Sequence, residues 1–307
     1  MVSTFEPAYL GLALSPFKPL TAAKAYRARE FLVSAWRDYI TAKGPEEASA
    51  FINATHAHNA SHGFCLDDLA RFEVGHSFAI IASTAPTAWW LMYHIFSDET
   101  VLKDVREELS ALVEVTHDGK SRVDLAAVRD SCPILLSTFK EVMRYRAIGN
   151  AVRVCLEDTW LEDRVLLKKG SAVIMPQVVF HTDPAVWGQD SNVFDHLRFV
   201  RSPGRRRPNP VAFRAFGGGH NLCPGRHFSS TEILASAALL ALLFDVTPKS
   251  GKWVEPTWDQ TPMVFSFQLP DEDIDVELQP RDDREWEIVF SGSESAMSIV
   301  SEDMKAE

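Results

Sequence analysis

Cations are in short supply in this 307-residue chain: 31 Lys and Arg face 42 Asp and Glu, a formal net charge of -11. A surface built to follow nucleic-acid phosphates needs the opposite balance, which argues against general nucleic-acid binding. The basic run Arg205-Arg206-Arg207, set between Gly204 and Pro208, reads as a solvated loop. Cysteine is scarce as well. Its four positions, 65, 132, 155 and 223, show neither C-x-x-C nor paired spacing, which argues against a zinc module or a disulfide framework and for a reducing compartment. No leader pattern is visible ahead of the glycosylation sequons at Asn53 and Asn59, so the sequons carry no argument. The uncharged run from Ser77 to Phe96 has membrane length but contains Ser83, Thr84, Pro86, Thr87 and His94, and it reads as a buried helix.

What is present is ample apolar material, 46% of residues, enough for a large core in one or two domains. Residues 1–20, with Pro7, Pro16 and Pro19, read as irregular. Ala28, Leu32, Ala35, Trp36, Tyr39 and Ile40 recur at helical spacing and predict an amphipathic helix over 21–43, stopped by Gly44. A shorter helix over 45–55 precedes His56, His58 and His62, which read as an exposed loop, with metal binding as the other reading. Leu66 to Ser97 predicts one helix of roughly 45 Å at about 1.5 Å per residue. Pro86 is expected to interrupt it, freeing the Ala82 carbonyl and bending the helix beside the hydroxyls of Ser83 and Thr84. A charged amphipathic helix over 98–115, a turn over 123–129 and a helix over 131–146 follow. On the last, Glu141 and Arg144 share a face, as a surface ion pair or part of something buried. Strands are expected over 150–156 and 171–176, an apolar strand tip at 262–265, and a polar, disordered tail over 291–307.

The most informative stretch is Phe213 to Phe228, a glycine-rich loop presenting Cys223 ahead of an apolar helical run over 229–246. Gly217, Gly218 and Gly219 permit a flat bulky ligand to lie against the backbone, and Gly225 extends that permission past the cysteine. Pro224 suits a first helical position, which puts Cys223 at the N-cap, its buried sulfur facing unpaired N–H groups that favour thiolate, the metal-binding form. Two readings fit these residues: a metal-ligating thiolate, or a buried free cysteine at a helix start.

Phe216-x-x-Gly219-x-Asn221-x-Cys223-Pro-Gly225 resembles the heme-binding loop of the cytochrome P-450 family, and the chain is identified as a member of it. The resemblance implies a mainly α fold with small β-sheets, the C-terminal part of the cytochrome P-450 fold, over residues 1–290. It implies heme as cofactor with Cys223 as axial thiolate, and Phe216, Gly219, Asn221, Gly225 and Arg153 as heme-contacting residues. Asn221 stands where most members have Arg or His, so that propionate contact lacks a charge. Glu141 and Arg144 match the family's E-x-x-R element, with Arg198 as the third, structural partner. The helix over 66–97 matches the distal helix, with Ser83 and Thr84 as catalytic candidates but Ile80, Ile81 and Ala82 in place of the usual acid. Ser83 to Trp90 resembles the branch holding cholesterol 7-alpha-hydroxylase and prostacyclin synthase.

The function implied is insertion of one oxygen atom into an apolar small molecule, such as a sterol, fatty acid or secondary metabolite, with electrons from an NADPH-dependent reductase. The alternatives are a heme-thiolate isomerase or dehydratase, and an inactive fragment. Members carry an N-terminal portion and often a membrane anchor that this sequence does not show. A truncated chain with little activity of its own is therefore expected, cytoplasmic where a full-length relative would sit at the endoplasmic reticulum membrane.

Overall fold

In a computed structural model, residue 12 and residues 17–203, 209–262, 265–292 and 300 are described. The basic run at 205–207, Met263 and Val264 of the expected strand tip, and most of the terminal tail lie outside these residues. The chain is mainly α with small β-sheets, and it divides into two compact units, Met1–Ser83 and Thr84–Glu307.

In the first unit, helix α1 (Ala23–Thr41) buries Ala25, Ala28 and Val33. Leu12, Ala28 and Val33 cluster with Ala70 and Val74 of helix α3 (Leu66–Phe96). Beside this small core the surface carries an ion network: Arg71 donates to Glu30 at 3.0 and 3.1 Å and to Asp67 at 2.8 Å, and Arg37 also donates to Asp67. The residue in left-handed conformation after α1 is Lys43 (φ 62), not the expected Gly44. Gly44 serves a different need, because a Cβ there would lie 2.1 Å from the Tyr39 ring.

Helix α2 (Ala50–Ser61) follows, its first turn capped by the Ser49 hydroxyl, which accepts from the Ile52 N–H at 3.4 Å. It runs through His56 and His58 and closes at His62, so the histidine segment expected as a loop is helical. A serine cap and an alanine-rich sequence are sufficient reason. Among the described residues no group of three His, Cys, Asp or Glu is arranged to hold a metal ion. Helix α3 continues without a break through Pro86, where an interruption is expected. Proline removes one rung of the hydrogen-bond ladder. The turns on both sides retain theirs, and the following turn is anchored by fully buried Trp90 and Leu91.

The second unit packs the end of α3 against helices α4 (Glu99–Ser110), α5 (Pro133–Arg146) and α6 (Arg226–Leu243). Val105 and Leu109 of α4, Phe139 and Val142 of α5, and Ala237, Ala238 and Ala241 of α6 are completely buried in one core. The alanines give α6 a smooth face with little side-chain entropy to lose. Asp98 caps α4 by accepting from the Thr100 N–H at 2.8 Å. Helix α5 has no such cap of its own, since its N-cap is Cys132. Glu108 of α4 replaces it, its two oxygens accepting from the N–H groups of Ile134 and Leu135 at 2.8 and 2.9 Å. Burial raises the Glu108 pKa and these two donors oppose the rise, while burial and Glu108 together push the Cys132 thiol to about 12.

The sheets are small. Strands β1 (Glu114–Val115), β2 (Ser121–Asp124) and β9 (Trp286–Val289) form one, with β2 and β9 parallel; β3 (Asn150–Val154) pairs with β6 (Ala172–Pro176), β4 (Thr159–Leu161) with β5 (Val165–Leu167), and β7 (Phe244–Pro248) with β8 (Val276–Pro280). Val123, expected in a turn, is in β2 because its partner lies far along the chain, where local periodicity says nothing. The expected helix over 98–115 stops at Ser110, ahead of the local pairing of Glu114 and Val115 with β2, and the run expected as helix to Val246 turns into β7 at Phe244. Among the described residues no helix is long and apolar enough to cross a membrane.

Candidate functional site

Cys223 lies on the loop that feeds α6, its N–H donating to the Phe216 carbonyl at 3.0 Å and closing the glycine stretch between them. Gly217 and Gly219 adopt φ values of 82 and 66, which any other residue would take only with strain. Two expectations need correction. The N-cap of α6 is Gly225, so Cys223 stands two residues ahead of it, and the helix begins at Arg226 instead of Pro224. The cysteine is also exposed, not buried. Gly225 caps the helix with an ordinary backbone conformation, φ -82 and ψ 3.

The loop fits a flat iron macrocycle. A Cβ on Gly219 would meet nothing within 4 Å, one on Gly225 would approach the Cys223 sulfur at 3.9 Å, and the thiol is open beside them. A thiolate with an open glycine face is the donor set of a heme-thiolate center.

Behind the loop lies a buried ion network. Arg144 grips Glu141 with two bonds of 2.7 Å, Nε to one carboxylate oxygen and Nη2 to the other. Arg198 adds its Nε at 3.0 Å, and the Asp195 N–H donates at 3.1 Å. The other donors reach main-chain carbonyls, Arg144 those of His181 (2.5 Å) and Ser191 (2.7 Å) and Arg198 those of Asp190 (3.0 Å) and Val193 (2.9 Å), while Arg198 Nη1 also faces the Asp190 carboxylate at 3.2 Å. The side chains of Glu141 and Arg144 are 0% exposed and that of Arg198 is 6% exposed. Burial alone would lower the Arg198 pKa, but Glu141 outweighs it and the net shift is upward. Glu141 and Arg144 thus do not form a surface pair, and with Arg198 they tie α5 to the meander over 181–198.

Two further clusters carry no sequence signal. His181 is completely buried, its Nε2 accepting from the Arg214 N–H at 2.9 Å and its Nδ1 lying 3.2 Å from the Arg144 carbonyl. Burial first, and Arg144 second, depress its pKa to about 4. Buried Arg146 lies over the Trp90 ring at 3.5 Å and donates to Glu255 at 2.6 Å, with His94 Nε2 at 3.1 Å. His94 stacks on Phe194, and burial together with Arg146 lowers its pKa to about 3.

The other candidates are spread more widely. Ser83 and Thr84 are half-buried on α3, one turn ahead of Pro86. Arg153 is exposed on β3 and donates to the Val152 carbonyl at 2.9 Å. Phe216 is half-buried, and Asn221 is exposed in the loop with its main-chain carbonyl 3.1 Å from where a Gly217 Cβ would sit.

A helical unit with an open cysteine on a glycine loop, backed by a buried carboxylate between two arginines, has the build of a heme-thiolate protein. The sequence model of the family described as Cytochrome P450 matches residues 41–277, and the chain belongs to that family. It is 34% identical over 303 residues to the cytochrome P450 monooxygenase nodJ of Hypoxylon pulicicidum, an overlap of 94% of this chain and 59% of that protein. It is 29% identical over 285 residues to a cytochrome P450 monooxygenase of Gibberella zeae, covering 89% of this chain and 55% of that one. Prostacyclin synthase of Rattus norvegicus is 25% identical over 252 residues, covering 76% of this chain and 50% of the enzyme. The chain thus spans little more than half the length of the curated relatives it matches. The family is one of enzymes, and its cofactor is heme iron with an axial cysteine thiolate.

Proposed function

We propose that this chain provides the thiolate side of a monooxygenase that inserts one oxygen atom into an apolar small molecule, and that Cys223 is the iron ligand. The observation that carries the reading is the open Cys223 thiol, held by its N–H to the Phe216 carbonyl at 3.0 Å at the mouth of α6. Bound heme supplies the redox chemistry, in which two electrons from an NADPH-dependent reductase let one atom of dioxygen enter the substrate while the other leaves as water.

The chain's residues divide the remaining work. Gly219 and Gly225 leave the face beside the sulfur open, and Phe216 borders it. Arg153 and Asn221 are the groups assigned to the propionates, Arg153 by charge and Asn221 by its amide N–H groups alone. Ser83 and Thr84 supply hydroxyls that can hold or pass a proton at Oγ and Oγ1. The positions before them, Ile80, Ile81 and Ala82, supply no carboxylate of their own. Glu141, Arg144 and Arg198 take no part in chemistry and hold the scaffold. An apolar substrate such as a sterol, fatty acid or secondary metabolite is the class this reading names, and the relatives named as monooxygenases support the oxygen insertion itself.

The test is turnover of an apolar substrate by the heme-loaded protein, this chain together with the rest of the length its relatives have, with reductase, NADPH and isotope-labeled dioxygen. One label per product molecule, with NADPH consumed in proportion, is the expected result. Product formed without label and without NADPH would overturn the reading in favor of a rearrangement or dehydration, the alternative kept open by the missing carboxylate.

A further inference from the structure

We infer that Gln177 and His181 are positioning residues for the cysteine loop, holding between them both main-chain groups of Arg214; the inference rests on the reading of Cys223 as the iron ligand. The two side chains leave one short helix, Gln177–His181, four residues apart and so on one face. Gln177 Nε2 donates to the Arg214 carbonyl, and the Arg214 N–H donates to His181 Nε2 at 2.9 Å. The same Arg214 carbonyl accepts from the Gly217 N–H at 2.9 Å, so the residue that opens the glycine stretch is fixed on both sides. Two residues later, Phe216 offers the carbonyl that receives the Cys223 N–H. Any shift of Arg214 therefore passes along a short, glycine-bounded segment to the sulfur.

The hydrogen bonds define the imidazole tautomer. Nε2 accepts, so it carries no proton, and the proton on Nδ1 faces the Arg144 carbonyl. Arg144 returns the contact with Nη1 on the His181 carbonyl at 2.5 Å. The ring is further pinned by Phe213, stacked at 5.9 Å, and by Trp187, edge-on at 6.2 Å. His181 thereby joins the Glu141 network to the loop, and no acceptor-less side chain can replace it. Space for Gln177 is equally specific. A Cβ on Gly149 would lie 2.7 Å from Gln177 Oε1, and the Gly149 carbonyl accepts the Gln177 N–H at 2.8 Å. Gln177 Oε1 itself is buried with no hydrogen-bond partner. A buried amide left half-unsatisfied is costly, which fits a side chain retained for its donor.

Two substitutions separate the bonds. His181→Asn keeps a donor near the Nδ1 position and loses the acceptor for Arg214, whereas His181→Gln places an amide oxygen near the Nε2 position and keeps that acceptor. In the heme-loaded full chain, and again without heme, amide hydrogen exchange at Arg214 is measured beside the share of ferrous carbonyl complex showing the red-shifted thiolate band. His181→Asn is expected to speed Arg214 exchange by about tenfold or more, the effect of one buried donor left unpaired, and to convert part of the thiolate band to the unshifted form. His181→Gln is expected to stay near wild type in both, with exchange in the α6 core unchanged.

Equal behavior of the two variants, or wild-type exchange at Arg214 in His181→Asn, overturns the inference. If His181→Asn fails to fold, Gln177→Met decides, since it frees the other side of the same residue and is expected to raise Arg214 exchange severalfold; an unchanged rate there also overturns it. Cys223→Ala separates the two readings. Retention of the thiolate band in that variant would refute the ligand assignment while leaving the Arg214 exchange result to stand by itself.

Discussion

Replacing Glu141 with alanine removes the one anion shared by two buried guanidiniums. Arg144 loses bonds of 2.7 and 2.7 Å and Arg198 loses one of 3.0 Å, while the carbonyls of His181, Ser191, Asp190 and Val193 keep both arginines in place. Arg144, 0% exposed, is then left without its carboxylate, while Arg198, 6% exposed, keeps the Asp190 carboxylate at 3.2 Å, so the stranded charge is chiefly that of Arg144. Breaking a buried pair by removing one partner costs about 3–5 kcal/mol. That is a large share of the roughly 5–15 kcal/mol that holds a typical domain together. At about 2–4 °C per kcal/mol for a unit of this size, the melting temperature of Glu141→Ala falls by roughly 6–20 °C. Arg144→Ala falls within the same range, because it strands Glu141 with one cation and leaves two carbonyls unpaired. Arg198→Ala costs least, since Arg198 retains some solvent access and Glu141 keeps its two-bond partner. The assay is urea and thermal unfolding of the three variants, with heme occupancy measured in parallel. Replacing all three with apolar residues of similar volume should recover part of the loss, since the penalty lies in the stranded charge more than in the missing bonds. Single variants within about 1 kcal/mol of wild type, with full heme occupancy, would refute the reasoning.

Acid is a second lever. His181 and His94 titrate at about 4 and about 3 when folded and near their ordinary 6.5 when unfolded, so the unfolded chain binds more protons below 6.5. Stability is therefore complete above pH 6.5 and falls as pH drops from there toward 4 and 3, by about 3 kcal/mol for His181; melting temperatures between pH 7 and 4.5 that do not decline would contradict this, and His94→Gln should flatten the slope. Within the loop, Gly217→Ala should cost more than Gly218→Ala. At Gly217 the backbone has φ 82 and the obstacle is the Asn221 carbonyl, while at Gly218 the obstacle is the movable end of the Arg214 side chain. A difference of about 1–2 kcal/mol in unfolding free energy is expected, and equal losses would show that Arg214 is as immovable as main chain. Glu108→Ala should unwind the first turn of α5, costing about 1–2 kcal/mol and raising amide exchange at Ile134 and Leu135, the two groups its carboxylate now accepts from.

The parts legible in the chain are those set by neighbors in sequence. The bounds of α3 follow from an apolar periodicity that begins at Leu66 and a polar stop at Ser97, and the Cys223 loop from glycines whose conformations a turn requires. Glu141 and Arg144 could be paired from spacing, but Arg198 could be joined to them only through resemblance. His181 and Gln177 gave no signal, since their partners are main-chain groups that any residue would present. The same limit hid the Glu108 cap and the parallel pairing of β2 with β9. The exposure of Cys223 was not legible either, because motif spacing places the residue in the loop without saying which way its side chain faces.

The most direct test of the central claim is the reduced carbonyl spectrum of the heme-loaded chain beside that of Cys223→Ala. The account predicts the red-shifted thiolate band in the first and its loss in the second, with Cys65→Ala, Cys132→Ala and Cys155→Ala all retaining it. Persistence of that band in Cys223→Ala would contradict the assignment of the iron ligand and the function built on it.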